Sequence, residues 1–359
     1  MDDCETKRRI FSIDREGSLM IFSVDRPADD QTTKTNELTL VQAVTDGLRT
    51  ILKEDERVLL LGEDIGKNGG VFRATEGLQE EFGEDRVIDT PLSEAGIIGT
   101  SIGMAVNGFK PVAEMQFLGF IYPAYEQIMT HVSRIRMRTM GSYTVPMVIR
   151  APYGAGIRAP EVHSDSVEAL FTHMPGIKVV CPSSAYDAKG LIIAAIEDPD
   201  PVIFLESMRI YRANREEVPE GKYIVEIGKG KRLKEGDDVS VFAWGAMVPV
   251  AMKAAEQAEK YGITCDVIDL RTLYPLDKDI IAESVQKTGR AVIVHEAHAT
   301  GGVGNDIVSI INDTSFLYIK SPIERVTGFD VPVPLFALEE HYLPTPKRVF
   351  NAIEKVVHF

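Results

Sequence analysis

Glu94 stands at the head of a run rich in small and apolar residues: Gly96, Ile97, Ile98, Gly99, Ile102, Gly103, Met104, Ala105 and Val106. Pro91 and Ser93 mark a helix start, with Ser93 the expected N-cap. The three glycines each weaken such a helix by about 1 kcal/mol against alanine. They make sense where another backbone or a ligand comes close. An acid there is held ionised by the helix N-terminus or pushed toward its neutral form by dry surroundings. The plain alternative is a first-turn Glu that only steadies the helix dipole.

Two further stretches carry candidate chemistry. His163-Ser164-Asp165-Ser166 follows a Gly- and Pro-rich loop, the kind of place that holds catalytic groups at the carboxyl ends of α/β strands. A loop histidine bonded to Asp165 or to solvent is the alternative. No G-x-S-x-G elbow is present to expose a serine for a triad. In Gln116-Phe117-Leu118-Gly119-Phe120 a strand gives way to a helix. Two aromatics there are ordinary core, or a ring that stacks on a flat heterocycle.

Other motifs fall away in context. Gly154-Ala155-Gly156-Ile157-Arg158-Ala159 fits G-x-G-x-x-A after a strand. Pro160 and His163 follow before any helix, and the next strand ends in Cys181-Pro182-Ser183 with no acid for a ribose. There is no P-loop. Gly301-Gly302-Val303-Gly304 could open a helix as an anion site. The basic cluster Arg134, Arg136, Arg138 reads as a solvated face or a subunit contact.

The 359 residues suggest two domains. Lys plus Arg number 39 and Asp plus Glu 54, a formal charge of −15. That disfavours nucleic acid or an anionic membrane as the main partner. The longest apolar run, Leu191 to Ile196, is too short to span a bilayer. The N-terminus is charged and shows no secretory signal. Cys4, Cys181 and Cys265 are isolated, with no metal-ligand spacing. Free thiols and a cytoplasmic location are therefore expected.

Residues 1–36 read as an extension. Ile10–Ile13 and Met20–Val24 flank Glu16-Gly17 as a hairpin, and a polar linker follows over 29–35. Met20 is an alternative start. From Glu37 the pattern changes. Thr39 with Gln42 forms a capping box, and Leu40, Val41, Val44, Leu48, Ile51 and Leu52 form one helical face. Strands are expected at 58–61, 87–89, 111–115, 145–150, 177–181 and 202–206. Helices are expected near 94–107, 123–139, 166–173 and 184–196, the last with Ser184 and Asp187 as its capping box. Residues 210–236 break the rhythm and read as a linker. A second block has strands at 239–243, 264–270, 291–295 and 323–326, and helices near 248–261, 277–287, 303–312 and 345–357. The expectation is α/β: two doubly wound domains, 37–209 and a smaller 237–359.

Residues 37–359 resemble the beta chain of the thiamine-diphosphate-dependent 2-oxo acid dehydrogenases. The matching blocks are Leu61-Gly62-Glu63-Asp64-Ile65, Gly69-Gly70-Val71-Phe72-Arg73, Asp89–Gly99, His163–Ser166, Pro175–Val180, Asp187–Leu191, Val267–Thr272 and Arg325-Val326-Thr327-Gly328. The resemblance implies a pyrimidine-binding first domain and a role for each candidate residue. Glu94 matches the glutamate that hydrogen-bonds the aminopyrimidine and relays its proton, so that the cofactor can act as an electron sink for decarboxylation. Phe120 matches the aromatic packed on that ring. His163 matches the histidine facing substrate and the incoming lipoyl group. Some members bind structural potassium; here its ligands would be backbone oxygens of Met147, Ala195 and Ile196, with Asp198 and Asp200.

The chain lacks the Gly-Asp-Gly loop that holds diphosphate and Mg²⁺. The resemblance therefore implies an alpha chain that grips both, a heterotetramer of two alpha and two beta chains, and a lipoyl-bearing acyltransferase core as partner. Ala243-Trp244-Gly245, His295-Glu296-Ala297 and Gly301-Gly302 look more like branched-chain than pyruvate members. A pyruvate or acetoin enzyme, transketolase-like ketol transfer and a non-catalytic scaffold are the alternatives. The sequence departs from the usual pattern at Gly119, where an acid or amide is common, and at Asp165, where glutamine is.

Overall fold

The computed structural model describes residues 9–13, 19–23 and 34–359. Arg9–Ile13 and Leu19–Ser23 pair antiparallel, Arg9 opposite Ser23, as the expected hairpin strands. The Glu16-Gly17 turn, Val24, residues 29–33 of the linker and Cys4 lie outside the described residues. Asn36–Phe359 form a compact unit of their own.

That unit is built on two main sheets. The larger has seven strands, in the order Thr272–Tyr274, Lys178–Val180, Val202–Ser207, Val148–Tyr153, Lys110–Glu114, Val58–Gly62, Val87–Asp89. All neighbours from Lys178–Val180 onward run parallel. Their residues are almost continuously buried, as expected of a sheet covered on both faces. Their carboxyl ends therefore share one edge. The smaller sheet has five strands, in the order Lys231–Lys234, Cys265–Asp269, Val239–Ala243, Ala291–His298, Glu324–Gly328. Only its first strand is antiparallel.

Helices form where expected, and their starts show why. Thr39 and Gln42 make the reciprocal capping box ahead of Leu40–Glu54. Ser184 accepts the Asp187 N–H at 3.1 Å, but its hydroxyl then turns to the Asp187 carboxylate, so the box is not reciprocal. Ser93 occupies the N-cap of Glu94–Val106 without a capping side-chain bond.

Three expectations need correction. The helix expected over 123–139 is broken into a 3-10 turn at Tyr122–Ala124, single α turns at Tyr125–Gln127 and Ile135–Arg138, and a π turn at Ile128–Val132. Arginine side chains take carbonyls there: Arg138 Nη2 donates to Thr130 O at 2.7 Å and Arg134 Nε to Met129 O at 3.0 Å. Arg136 pairs with Asp200. The basic cluster thus braces this segment. The 210–236 linker contains strands Glu216–Pro219 and Lys231–Lys234. Thr272–Tyr274, placed by sequence in the second block, joins the first sheet by pairing antiparallel with Lys178–Val180. Among the described residues no helix is long and apolar enough to cross a membrane.

Candidate active site

Four adjacent parallel strands carry the candidate residues on one edge. Val58–Gly62 leads into Glu63, and Val87–Asp89 leads through Pro91 to Glu94. Lys110–Glu114 leads to Phe117 and Phe120, and Val148–Tyr153 to the loop ending at His163. Neighbouring strands lie about 4.8 Å apart, so topology alone gathers these groups.

Glu94 opens its helix half-buried, one turn ahead of the buried Ile97 and Ile98. Glu63 stands near it. Burial raises the Glu63 pKa, and the charges of Glu94 and then Asp64 raise it further. The edge thus holds two carboxyls close enough for the charge of Glu94 to raise the proton affinity of Glu63. Asp89 shapes the adjoining loop, accepting the Gly66 N–H at 2.6 Å and the Lys67 N–H at 3.3 Å.

Beneath the edge lies a buried charge cluster. Arg150 donates through Nε to Glu206 Oε1 at 2.7 Å and through Nη2 to Oε2 at 2.8 Å. Its Nη1 reaches Glu114. Tyr211 Oη also donates to Glu206, at 2.9 Å. Burial raises the Glu114 pKa, and Arg150 opposes that shift.

The aromatic wall is continuous. Phe117 meets Phe72 and Phe120 edge-on, both at 5.4 Å between centroids. The His163 ring lies 4.5 Å from Phe117 and 4.8 Å from Phe120, again edge-on. His163 Nδ1 is 2.9 Å from the Glu161 carbonyl oxygen. A carbonyl only accepts, so Nδ1 carries hydrogen and Nε2 is the nitrogen left to exchange a proton. Asp165 does not hold the imidazole. Its Oδ2 accepts from Tyr122 Oη at 2.7 Å, and its carbonyl accepts the Gly154 N–H at 3.2 Å. Gly119 has a steric cause: a Cβ there would collide with the Val162 carbonyl oxygen.

The expected potassium ligands cluster at the end of the Ala185–Glu197 helix. The two carboxylates already have partners: Lys178 Nζ donates to Asp198 and Arg136 to Asp200, both at 2.5 Å. The Met147 carbonyl accepts the Val202 N–H at 3.0 Å. Ala195 and Ile196 belong to the last helical turn, whose carbonyls lack helical partners. Among the described residues no group of three or more His, Cys, Asp or Glu forms a metal site.

The motifs from which a branched-chain substrate was expected lie elsewhere. Trp244 is buried and stacks on buried His295 at 5.1 Å. Gly302 and Gly304 make room for that imidazole, where an added Cβ would lie 2.9 and 2.8 Å from its ring atoms. Burial lowers the His295 pKa to about 4, and Arg325 acts in the same direction. Cys181 is buried against Tyr153, and Cys265 is buried and free.

Sequence reasoning missed Glu63, Tyr122 and the contacts that hold the His163 loop. Glu63 had a local signal, an acid directly after an apolar strand. Tyr122 and the loop contacts had none, because their partners are distant in sequence.

Residues 36–214 match the family described as transketolase, pyrimidine binding domain, and residues 228–349 match transketolase, C-terminal domain. The chain is 51% identical over 323 residues to the pyruvate dehydrogenase E1 component subunit beta of Bacillus subtilis, covering 90% of this chain and 99% of that one. It is 49% identical to the like-named subunit of Staphylococcus aureus (strain Mu50), with the same coverage. A solved structure described as a split gene transketolase, inactive beta4 tetramer, shares the fold with a TM-score of 0.71 at 24% identity, over 90% of this chain and 99% of that one. This chain belongs to the beta chains of the thiamine-diphosphate-dependent 2-oxo acid dehydrogenases, with their two-domain transketolase-like α/β fold.

Proposed function

We propose that this chain supplies the ring-binding half of a 2-oxo acid dehydrogenase active site, with an alpha chain supplying the other half. One observation carries the reading: a half-buried acid, Glu94, shares a sheet edge with a second acid, Glu63, whose pKa burial and Glu94 raise, and with an aromatic wall that seats His163. That set suits the aminopyrimidine of thiamine diphosphate, a flat heteroaromatic ring whose faces pack on aromatics and whose ring nitrogens and amino group need hydrogen-bonding partners at the edge. When bound, the cofactor supplies the electron sink for decarboxylation. Glu94 would hold and return a proton at the ring nitrogen, with Glu63 beside it as a second acid whose proton affinity is raised. Phe120 and Phe117 exclude water from the ring face. His163 would present Nε2 toward the acyl group and the incoming lipoyl disulfide, which is the oxidant. As the S–S bond breaks, one sulfur takes the acyl group and His163 gives a proton to the other, released as thiolate.

Glu63, Asp64, Asp89 and Glu94 make the same edge poorly suited to a diphosphate. This supports a division of labour in which the alpha chain of a two-alpha, two-beta assembly holds diphosphate and Mg²⁺. On this reading 37–209 is the ring-binding domain. The second domain, 237–359, serves the assembly and the acyltransferase core, with 210–236 between them and 1–36 appended. Potassium at the Ala195 and Ile196 carbonyls is part of the proposal. KCl, but not NaCl, should then raise the melting temperature, and equal effects of the two salts would remove the ion.

For the substrate we favour pyruvate. The relatives carry that name, and Trp244 and His295 are buried and stacked on each other rather than open to a substrate. The test is reconstitution with the alpha chain, thiamine diphosphate and Mg²⁺, followed by dye reduction with pyruvate or 3-methyl-2-oxobutanoate. Neither chain alone should turn over. Preference for the branched acid would overturn the substrate choice, and turnover of ketose phosphates alone would overturn the reaction class.

A further inference from the structure

The loop that carries His163 is held from the far side of the molecule. It leaves the Val148–Tyr153 strand at Gly154 and returns at Asp165, where a backbone bond closes its base. Between these points it adopts two left-handed residues that are not glycine, Arg158 at φ 56° and Val162 at φ 71°. Side-chained residues resist that conformation, so neighbouring structure must impose it. Sequence-local contacts at this loop are few.

Two buried glutamates from the second half of the chain supply further contacts. Glu296, on the Ala291–His298 strand, accepts the Ala155 N–H at 3.3 Å. Glu339, at the start of Glu339–Tyr342, accepts the Arg158 N–H at 3.3 and 3.2 Å through its two oxygens. Glu339 is 2% exposed. Its neighbour Glu340 pairs with the Arg158 guanidinium at 2.7 Å, but on the surface, where such pairs contribute little. A buried, charge-assisted bond to a strained amide is the stronger restraint.

We propose that Glu339 is a positioning residue for acyl transfer: it latches the Arg158 amide and thereby sets His163 against Phe117 and Phe120. The second domain then takes part in the active site by fixing the loop that meets the lipoyl group. The inference rests on the function proposed above for His163, while the latch itself does not.

The test has two readouts on the protein as purified with its partner chain. Trypsin cuts after Arg158 only when the loop opens. Glu339→Ala should raise that cleavage about tenfold or more, the range expected for loss of a bond to a charged acceptor. Glu339→Gln, whose amide oxygen still accepts, should recover most of the protection, and Glu340→Ala should change it by less than about threefold. Unchanged cleavage in Glu339→Ala overturns the latch, whatever the enzyme does. Should that variant fail to fold, amide exchange in the unmodified protein decides. A slow Arg158 N–H supports the latch, and exchange at the free-peptide rate overturns it. The second readout is kinetic. Dye-linked decarboxylation by Glu339→Ala should stay within about twofold, while kcat/KM for a lipoyl domain falls about tenfold, as expected when a reacting group is displaced. Equal losses in both assays, with cleavage raised, would keep the latch and overturn its role in transfer.

Discussion

Replacing Arg150 by Met should cost this protein more stability than any surface change, and the structure sets the size. Arg150 is 1% exposed and is the cation between Glu114 and Glu206, with a bidentate pair to the latter. Met fills similar volume but leaves two carboxyls in a site closed to water. Removing one partner of a buried ion pair costs about 3–5 kcal/mol. For a protein of this size that is a fall in melting temperature on the order of 10 °C. The orphaned acids then ionise only at raised pH. A carboxyl whose pKa is higher folded than unfolded contributes stability below its unfolded value and loses it as pH climbs through the folded value. The Met variant should therefore lag the parent further at pH 9 than at pH 5.5. Urea denaturation at both values measures this. Glu114→Gln and Glu206→Gln, added to Arg150→Met, should restore more than half the loss, because neutral amides tolerate the missing cation. An Arg150→Met protein within about 1 kcal/mol of its parent at both pH values would refute the reasoning.

Two other perturbations probe the surroundings of the site. Gly119→Ala drives a methyl into the Val162 carbonyl, so the His163 loop must shift. Overpacking of this kind costs about 1–3 kcal/mol. Lipoyl-domain transfer should fall by about a hundredfold if the loop moves by about 1 Å, and a variant with parental transfer would contradict the clash. Glu296→Gln probes the buried acid pair. Burial, then the charge of Glu168, raises the Glu296 pKa to about 8, and burial raises that of Glu168 to about 7. Both Glu168 oxygens lack a hydrogen bond, although the nearby Trp244 indole favours the ionised form. Each group stabilises the fold below pH 4.5 and loses that contribution as pH rises toward 7 and 8. The Gln variant should match the parent at pH 5 and melt higher at pH 9. A difference that does not vary with pH would remove the pair. His295 titrates in both proteins and cancels from the comparison.

Much of this was written in local sequence. Val87–Asp89 and Val239–Ala243 form at the expected bounds, because short β-branched runs between polar turns leave little choice. Thr39 and Gln42 announce their helix through a bond three residues long. The π turn at Ile128–Val132 was not legible, since Ile121, Ala124, Ile128, Val132 and Ile135 keep helical spacing through the break. Its cause lies in arginine side chains that reach back to freed carbonyls. Thr272–Tyr274 was not legible either: three residues show no periodicity, and their partner lies roughly ninety residues away. The site divides along the same line. Glu94, Phe120 and His163 follow from strand ends in a parallel sheet. Gly119 and Glu339 matter through contacts with Val162 and Arg158, which no window of sequence contains.

The account stands on Glu94 as the group that exchanges a proton with the cofactor ring. The direct measurement is single-turnover dye reduction by the reconstituted alpha–beta enzyme carrying Glu94→Gln, at saturating thiamine diphosphate. Positioned proton transfer contributes about 10² to 10⁴ in rate, so the account predicts a loss of at least a hundredfold with cofactor still bound. A Glu94→Gln enzyme that turns over within twofold of its parent would contradict it.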